Sequence, residues 1–439
     1  MRNKIMILGA MLLLVLVTSC REESDALQNY AFNDGLAFDN AQKSFAGKFK
    51  VLWKALDQNY GIWDYERSQG VDWDAVYDEF LPKYEALDER DDVTDDELQK
   101  LLEATLAPLH DGHFAAQMEN HQTGGSVLVV PSNTRAKERD DYEARLNTTH
   151  DLRAYLPAAY GGTGNQILDY KEADTHIADM GEYGITVKYA LFKDNIAYFY
   201  FSDFYLTLYL NDEIYQKLFG KANAATQQLA LAVRQAWQAW FDKVQQLHAS
   251  GQLKGVVIDL RNNGGGALTD YQYVLGSMLP SGGFEVAFSR FKRGVGRYDY
   301  SPLSPFKVST LDTAHETITE PIVILTNSGS VSMAEMTSLG CQSLPNGTLI
   351  GKRTHGGLCS LITNPGVYYQ NYSGIIGERG VTPVWLYIPQ MTTVSKEGQI
   401  LEGVGLTPDI EVDLDVTQYQ ATGRDTQLER ALQFCTTGN

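Results

Sequence analysis

The chain has 439 residues, of which 44% are hydrophobic and 21% charged, a composition typical of a globular protein with two or three domains. Its formal net charge is -19 at pH 7. Such an acidic chain would repel phosphate groups, which argues against nucleic-acid binding and against electrostatic docking on anionic lipid.

The N-terminus is typical of a bacterial export signal. Arg2 and Lys4 precede an apolar run over residues 5–17, which is too short to span a bilayer comfortably. Thr18-Ser19-Cys20 follows, and small residues before a cysteine resemble a lipobox. We therefore expect a lipoprotein signal peptide at residues 1–20 and a lipid on the Cys20 sulfur; the alternative is a plain secretory signal with an incidental cysteine. The small, polar residues 21–40 suit a flexible tether.

This reading predicts a cell-envelope protein, anchored on the periplasmic face or on the outer surface of the outer membrane. Beyond Cys20 the cysteines are Cys341, Cys359 and Cys435, and their odd number argues against a complete disulfide framework. No Cys/His spacing indicates zinc, so we expect no metal. Cys341 lies on an apolar helical face and is expected in the core.

Residues 41–114 are predicted to form a helical N-terminal domain. Apolar residues recur at helical spacing from Phe45 to Leu56, and further helices are predicted over Asp72–Tyr84 and Thr94–Leu109. A turn, Leu109–Phe114 (LHDGHF), ends this region. Residues 115–185 have a mixed pattern that predicts no domain type.

An α/β core is predicted for residues 186–415, followed by a C-terminal helix at 416–439. Strand, glycine turn and helix alternate in this core, and ligands of such sheets bind at the carboxyl ends of the strands. The predicted strands are Ile185–Phe192, Ile196–Phe201, Gly255–Leu260, Pro321–Asn327 and Thr348–Gly351. The predicted helices are Ala224–His248, Leu268–Met278 and the segment that begins at Ser332.

Ser332 is the most informative residue of this core. It stands after an apolar strand and a small-residue turn, where a helix begins, in the segment SVSMAE. The unpaired N–H groups of a helix start can stabilise the oxyanion that forms when a serine attacks a carbonyl. The segment Ser332–Glu335 is also a capping box, S-x-x-E, which requires no chemistry.

A second strand end carries matching chemistry. The segment Asp259–Gly266 (DLRNNGGG) places three glycines after a buried strand. Glycine permits close approach and positive φ, so its N–H groups can point at an anion. Together with the Ser332 helix start, this loop offers the second half of an oxyanion hole.

These motifs, in this order, resemble those of the C-terminal-processing (tail-specific) serine peptidases, particularly the branch related to the tricorn core. The resemblance spans most of the chain after residue 40. It rests on LWKALDQNY, VDWDAVYDEFLPKY, LHDGHF, DLRNNGGG, SVSMAE, GKRTHGG and GVGLTPDIEV. It implies a crotonase/ClpP-like ββα core behind a helical domain, and no clear PDZ module, because residues 119–185 lack a Gly-Leu-Gly-Phe-like loop.

The resemblance also implies site residues. Ser332 corresponds to the nucleophile, and the oxyanion donors are the N–H groups of Met333 and of Gly264 or Gly265. The lysine of the Ser–Lys enzymes is replaced by Gly357. The tricorn-like histidine maps onto His113, with Gly112 where that branch has a serine.

The carboxylate of the tricorn-like branch maps onto Glu402, which precedes a G-x-x-P-D segment. Neutral imidazole suits the proton of a serine, and a carboxylate would orient the ring. His110, His355 and Lys352 are rival bases. Glu335 is interpreted as a cap.

The sequence thus predicts a serine endopeptidase of the cell envelope that acts through an acyl-enzyme on Ser332. Its partners would be protein or peptide substrates and a membrane reached through Cys20, with no nucleic acid and no cofactor. A non-catalytic ligand- or peptide-binding lipoprotein on the same fold is the alternative. An esterase is a further rival, although Ser332 does not lie in G-x-S-x-G.

Overall fold

The computed structural model describes residues 43–141, 156–161, 166–176, 184–294, 296–359 and 374–438. The predicted signal peptide, Cys20 and the tether lie outside the described residues. Across the described ranges, no helix combines the length and apolar character needed to cross a bilayer.

The described helices and strands are numbered in chain order. The α-helices are α1 (Phe45–Asn59), α2 (Trp63–Ser68), α3 (Trp73–Asp88), α4 (Asp95–Leu106), α5 (Pro131–Glu138), α6 (Leu156–Tyr160), α7 (Leu206–Leu210), α8 (Asp212–Phe219), α9 (Ala224–Ala249), α10 (Met333–Gln342), α11 (Val416–Thr422) and α12 (Thr426–Thr437). The strands are β1 (Ala115–Asn120), β2 (Gly125–Val129), β3 (Ile167–Asp174), β4 (Thr186–Phe192), β5 (Ile196–Phe201), β6 (Gly255–Asp259), β7 (Phe284–Phe291), β8 (Ser304–Val308), β9 (Ile322–Thr326), β10 (Gly347–Gly351), β11 (Ile375–Ile376), β12 (Val384–Tyr387), β13 (Met391–Val394) and β14 (Ile410–Glu411).

The chain divides into two compact units. The first comprises Met1–Asn133, Ser289–Leu303 and Cys359–Thr392, and the second comprises Thr134–Phe288, Ser304–Leu358 and Thr393–Asn439. The domain boundaries inferred from the sequence remain predictions. A three-stranded sheet has the order β13-β7-β8, and the unit boundaries fall within β13 and β7.

The first unit contains α1 to α4 and a four-stranded sheet of order β11-β12-β1-β2. Two of these helices start at side-chain caps: Asp72 caps α3, and Thr94 with Glu97 forms a capping box on α4. The apolar faces of these helices and of β1, β2 and β12 share one core, in which Phe49 stacks on Tyr84 at 4.7 Å.

The second unit is built on a seven-stranded sheet of order β14-β10-β9-β6-β5-β4-β3. The pairs from β14 to β5 are parallel, and β4 and β3 continue the sheet as antiparallel neighbours. Alternate residues of β5 face two helical layers, since Phe199 stacks on Trp240 of α9 whereas Tyr198 shares a core with Leu428 of α12. The five residues of β6 and of β9 are buried, as parallel strands covered on both faces should be.

Most predicted core elements are confirmed within a residue or two, including the hairpin of β4 and β5 and the buried position of Cys341. The regular helix predicted over Leu268–Met278 is wrong. Two short 3₁₀ turns, Leu268–Tyr273 and Leu275–Ser277, stand there, and Val274 between them has φ -107° and ψ -93°.

Tertiary bonds account for this difference. The carboxylate of Asp270 accepts hydrogen bonds from the N–H groups of Leu206 (2.7 Å) and Thr207 (2.8 Å), which caps α7 from outside. Gly276 lies so close to the backbone that a Cβ there would be 2.1 Å from the carbonyl oxygen of Ser309. Contacts with distant segments therefore override the local helical pattern. The predicted C-terminal helix is likewise two helices, α11 and α12, because Gly423 ends α11 in the left-handed conformation.

Candidate active site

The parallel pairing of β6 with β9 brings the two predicted motifs to one edge of the sheet. Asp259, the last residue of β6, is in register with Leu325 of β9. The loops that follow the two strands, residues 260–266 and 327–332, therefore lie at the same carboxyl edge of the sheet.

Ser332 occupies a strained turn between β9 and α10. Its backbone has φ 59° and ψ -117°, a conformation that a residue with a Cβ rarely adopts. The side chain is half-buried. Met333 is the first residue of α10, so its N–H lies at the positive end of the helix dipole. A strand–turn–helix with a strained serine is the geometry of a nucleophile elbow, although the sequence lacks G-x-S-x-G.

The glycine loop lies directly against this turn. Gly265 has φ +91°, and a Cβ at that position would be 2.6 Å from the Ser332 Cβ and 2.8 Å from the Met333 nitrogen. A Cβ at Gly264 would have no neighbour closer than the Asp203 carboxylate at 4.0 Å. Close packing therefore requires glycine at 265 but not at 264.

The N–H groups of this loop differ in their hydrogen bonds. Gly265 donates to the side-chain oxygen of Asn263 at 2.9 Å. In the part of the chain that the structure describes, the N–H groups of Gly264 and Met333 have no acceptor. These two groups are thus available to a bound oxyanion, whereas the N–H of Gly265 already has a partner.

His113 lies in the first unit, whereas Ser332, Gly264, Gly265, Met333 and Glu402 lie in the second. The carboxylate of Asp111, 1% exposed, accepts hydrogen bonds from the N–H groups of His113 (2.5 Å) and Phe114 (2.8 Å). This turn fixes the backbone of His113, whose side chain is half-buried.

Two rival bases are held by carboxylates. The Nδ1 of His110 lies 2.9 Å from the Oε2 of fully buried Glu66, which also accepts the His110 N–H. Lys352 donates to Asp413 and Glu411, each at 2.7 Å, and these carboxylates raise the pKa of its ammonium above its usual value. A lysine that remains charged at neutral pH cannot take a proton from serine.

His355 remains a rival in the same unit as Ser332. Its N–H donates to the carbonyl oxygen of Ser330 at 3.1 Å, so its loop follows the turn that precedes the nucleophile. The loop is held by Arg139, which donates to the carbonyl oxygen of Thr354 at 2.7 Å.

Glu335 caps the helix start as predicted, and it also accepts hydrogen bonds from a second loop. It is fully buried, and its Oε2 accepts the N–H groups of Ser332 (3.1 Å) and Gly357 (2.6 Å). Its Oε1 accepts the Thr354 hydroxyl (2.6 Å) and the Gly356 N–H (2.7 Å). One carboxylate therefore joins the nucleophile turn to the loop after β10.

A second buried carboxylate, Glu402, interacts with the first. Glu402 is fully buried in the loop after β13, and the N–H of Gly403 beside it donates to the Gly356 carbonyl oxygen at 2.7 Å. Burial raises the pKa of Glu335 to about 7 against the hydrogen bonds that it accepts, and the charge of Glu402 adds to this increase.

Throughout the described ranges, no group of three or more His, Cys, Asp or Glu side chains is arranged to hold a metal ion.

Three asparagines around the serine turn were not among the predicted site residues. Asn262, Asn263 and Asn327 all hydrogen-bond at the ends of β6 and β9. Their local signal is a position in the turn after a buried strand, where an asparagine side chain can bond to backbone and tolerate positive φ, as Asn262 does.

Residues 225–412 match the family model described as peptidase family S41. This range is less than half of the chain; it contains Gly264, Ser332 and Glu402 but not His113. The chain therefore contains a region similar to peptidase family S41, which confirms the resemblance carried by its motifs.

A carboxy-terminal-processing protease of Bartonella bacilliformis is 29% identical over 179 residues, which are 40% of this chain and 35% of that protein. The chain thus matches about a third of the length of this curated relative. This partial match shows similarity of sequence, and it assigns neither the activity nor the substrates of that protease to this chain.

Two solved structures are similar over most of the chain. A structure from Parabacteroides merdae, described as that of a peptidase, has 20% identity, covers 90% of this chain and 98% of that chain, and has a TM-score of 0.58. Mature CPAF in complex with lactacystin has 11% identity, covers 90% of this chain and 98% of that chain, and has a TM-score of 0.53. These likenesses confirm the predicted fold class, an α/β core with N-terminal helices.

The close approach of Gly265 to Ser332 makes a paired prediction. Gly265→Ala should destabilise the protein by about 2 kcal/mol or more, because its Cβ would strain a positive φ and collide with the serine turn. Gly264→Ala should unfold like the wild type in a denaturant titration. Equal destabilisation by the two variants would contradict the close packing inferred for Gly265 alone.

Glu335 gives protein stability a defined dependence on pH. Its pKa rises from 4.5 to about 7 on folding, so between these values the folded state keeps a proton that the unfolded chain releases. The resulting stabilisation is complete below the unfolded pKa and is lost as the pH rises through the folded pKa, a loss of about 3 kcal/mol.

Glu335→Gln does not titrate, so the free energy of unfolding of the wild type relative to this variant should fall by about 3 kcal/mol from pH 4 to pH 8. Denaturant titrations across this range measure that difference. Gln252→Ala, which changes an exposed side chain that does not titrate, serves as the control and should show no such trend. A constant difference for Glu335→Gln would show that its pKa is not raised by folding.

Proposed function

We propose that this protein is a serine endopeptidase of the cell envelope that cleaves peptide bonds through an acyl-enzyme on Ser332. The observation that carries the proposal is the strained Ser332 turn beside two N–H groups, of Gly264 and Met333, that have no acceptor among the described residues. Strain of this kind persists where surrounding structure enforces it, and it concentrates at active sites.

In the proposed reaction, the Ser332 Oγ attacks the substrate carbonyl carbon, its proton passes to the general base, and the carbonyl π electrons move to the carbonyl oxygen. The N–H groups of Met333 and Gly264 stabilise that oxyanion. Collapse breaks the C–N bond, and the protonated base gives this proton to the leaving amine. Water then attacks the ester and gives a proton to the base, which returns it to the Ser332 Oγ when the C–O bond of the ester breaks. We prefer Gly264 to Gly265 as donor because the Gly265 N–H is already bonded to Asn263.

We assign the general base to His113. The support is its match to the tricorn-like motif, the Asp111 bonds that fix its backbone, and the engagement of His110 and Lys352 by other carboxylates. Glu402 is proposed to orient the imidazole, and its full burial suits a carboxylate that must hold a ring in one tautomer.

The substrate is proposed to be a protein or peptide, bound in extended form as an added strand. Processing of a carboxy terminus is proposed from the similarity to the Bartonella protease alone. The chemistry requires only side chains and backbone N–H groups, so the proposed mechanism uses no cofactor.

The decisive test is reaction of the purified protein with a fluorophosphonate probe, with the modified peptide identified by mass spectrometry. Ser332 should be labelled, Ser332→Ala should not react, and His113→Ala should react about 10²–10⁴-fold more slowly because the serine proton has no acceptor. His248→Ala is the control, since His248 pairs with Glu320 at the end of α9, and it should react at the wild-type rate.

Each departure has a distinct meaning. An unreactive but folded wild type would refute the peptidase and favour the non-catalytic binding protein on the same fold. Labelling that survives His113→Ala but not His355→Ala would move the base to His355. Hydrolysis of esters without hydrolysis of peptides would favour the esterase.

We further propose that the protein is a lipoprotein anchored through Cys20, on the support of the lipobox-like segment in the sequence. In a bacterial host fed an alkyne fatty acid, the wild type should acquire the label and sediment with membranes. Cys20→Ala should lose both properties, whereas Cys435→Ala, which changes a buried cysteine, should keep them. A labelled Cys20→Ala would refute the anchor.

A further inference from the structure

Side-chain amides connect the two loops that would supply the oxyanion donors. The Oδ1 of Asn327 accepts the N–H groups of Asn262 (3.0 Å) and Gly329 (2.9 Å), and its Nδ2 donates to the Asn262 Oδ1 (3.1 Å). Asn327 is 5% exposed. A single buried amide thus binds the residue two before Gly264 and the turn that leads to Ser332.

The backbone conformation of Asn262 and the close contact at Gly329 suit this connection between the loops. Asn262 has φ 58°, a left-handed conformation that asparagine tolerates better than most residues. A Cβ at Gly329 would be 2.5 Å from the Asn262 Oδ1, so the two loops are in contact at this point. The amide pair therefore sits at a close contact between the two loops.

Parallel bonds run between the same two segments. The N–H of Val331 donates to the Asn263 carbonyl oxygen at 3.0 Å, and the Ser330 hydroxyl donates to the Leu260 carbonyl oxygen at 2.8 Å. That hydroxyl also accepts the Asn327 N–H at 3.1 Å. Together with the Asn262–Asn327 amide pair, the bonds from Val331 and Ser330 join the two loops at three places.

We propose that Asn327 is a positioning residue that sets the spacing between the N–H groups of Gly264 and Met333 and so preforms the oxyanion hole. Asn327 itself touches no substrate in this account. The proposal rests on the peptidase function proposed above, because the spacing matters only if an oxyanion binds between these donors. A displacement of about 1 Å in such a site is enough to lower a rate about 100-fold.

The first measurement needs no activity. Hydrogen–deuterium exchange of the full chain should speed up in peptides covering residues 260–266 and 327–333 of Asn327→Ala, because Asn262 and Gly329 lose their acceptor. Asn346→Ala is the matched control: Asn346 donates to the carbonyl oxygens of Glu320 and Ile318 away from these loops, and its loss should leave both peptides unchanged.

The second measurement separates chemistry from binding with the fluorophosphonate probe. Asn327→Ala should lower the maximal rate of inactivation about 10- to 100-fold, with the probe's binding constant changed less than about 3-fold. Asn262→Gly keeps the left-handed backbone and removes one bond, so it should lower this rate about 3- to 10-fold. Asn327→Asp keeps an oxygen that accepts the N–H groups of Asn262 and Gly329. Its second oxygen accepts a hydrogen bond from the Asn262 amide once that amide rotates. This variant should therefore retain most of the rate.

Each outcome of these measurements either supports or overturns the proposal. Faster exchange in the two loops together with a slower maximal rate and an unchanged binding constant supports the proposal. Unchanged exchange overturns it, as does faster exchange with a normal rate. Equal losses of rate and of probe binding in Asn327→Ala and Asn346→Ala would show a merely structural role. If the folded wild type does not react at all, the peptidase function fails and this proposal falls with it, whatever the exchange shows.

Discussion

The parallel pairing of β6 with β9 is the constraint on which the candidate site depends. It makes two loops, separated by the sixty residues from 267 to 326, leave the sheet as neighbours. The end of β6 is fixed by Arg261, which is 1% exposed and bridges Asp259 and Asp425, each at 2.7 Å. Burial alone would lower the Arg261 pKa, and the two carboxylates reverse that effect and raise it. A buried ion pair is weak evidence of net stability, so its clearest effect here is geometric: it ties the glycine loop to α12.

The same edge of the sheet concentrates backbone strain. Within the described ranges, the non-glycine residues with positive φ are Asn195, Asn262 and Ser332, and two of them lie in these loops. Asn195 closes the β4–β5 hairpin, where such a conformation is ordinary. Strain at Ser332, about 1–3 kcal/mol for a residue of this kind, has to be offset by neighbouring contacts. The bonds of Glu335, Asn327 and Ser330 are the contacts that offset it, so strain and hydrogen-bond density occur together for one physical reason.

The fold was more accessible to sequence reasoning than the site. β6 and β9 are continuous apolar runs that end in turn residues, and α9 is long and amphipathic, so local pattern identifies them. The segment after Leu268 was mispredicted because bonds from Asp270 to α7 decide its shape. Ser332 and Gly264 could be named from motifs, whereas the partners of Glu335 and Asn327 could not, since Thr354 and Asn262 meet them only through tertiary folding.

Glu335 and Glu402 place two buried carboxylates in the unit that carries the nucleophile, and the charge of Glu402 adds to the rise in the pKa of Glu335. Burial and the neighbouring charge oppose ionisation of Glu335, while three N–H groups and a hydroxyl favour it. The resulting pKa of about 7 leaves its protonated and ionised forms close in free energy at neutral pH. When Glu335 is protonated, its carboxyl O–H has to donate a hydrogen bond. Of the four groups that donate hydrogen bonds to Glu335, only the Thr354 hydroxyl can also accept one. Because the Ser332 N–H is one of the donors, the proton on Glu335 is coupled to the turn that carries the nucleophile.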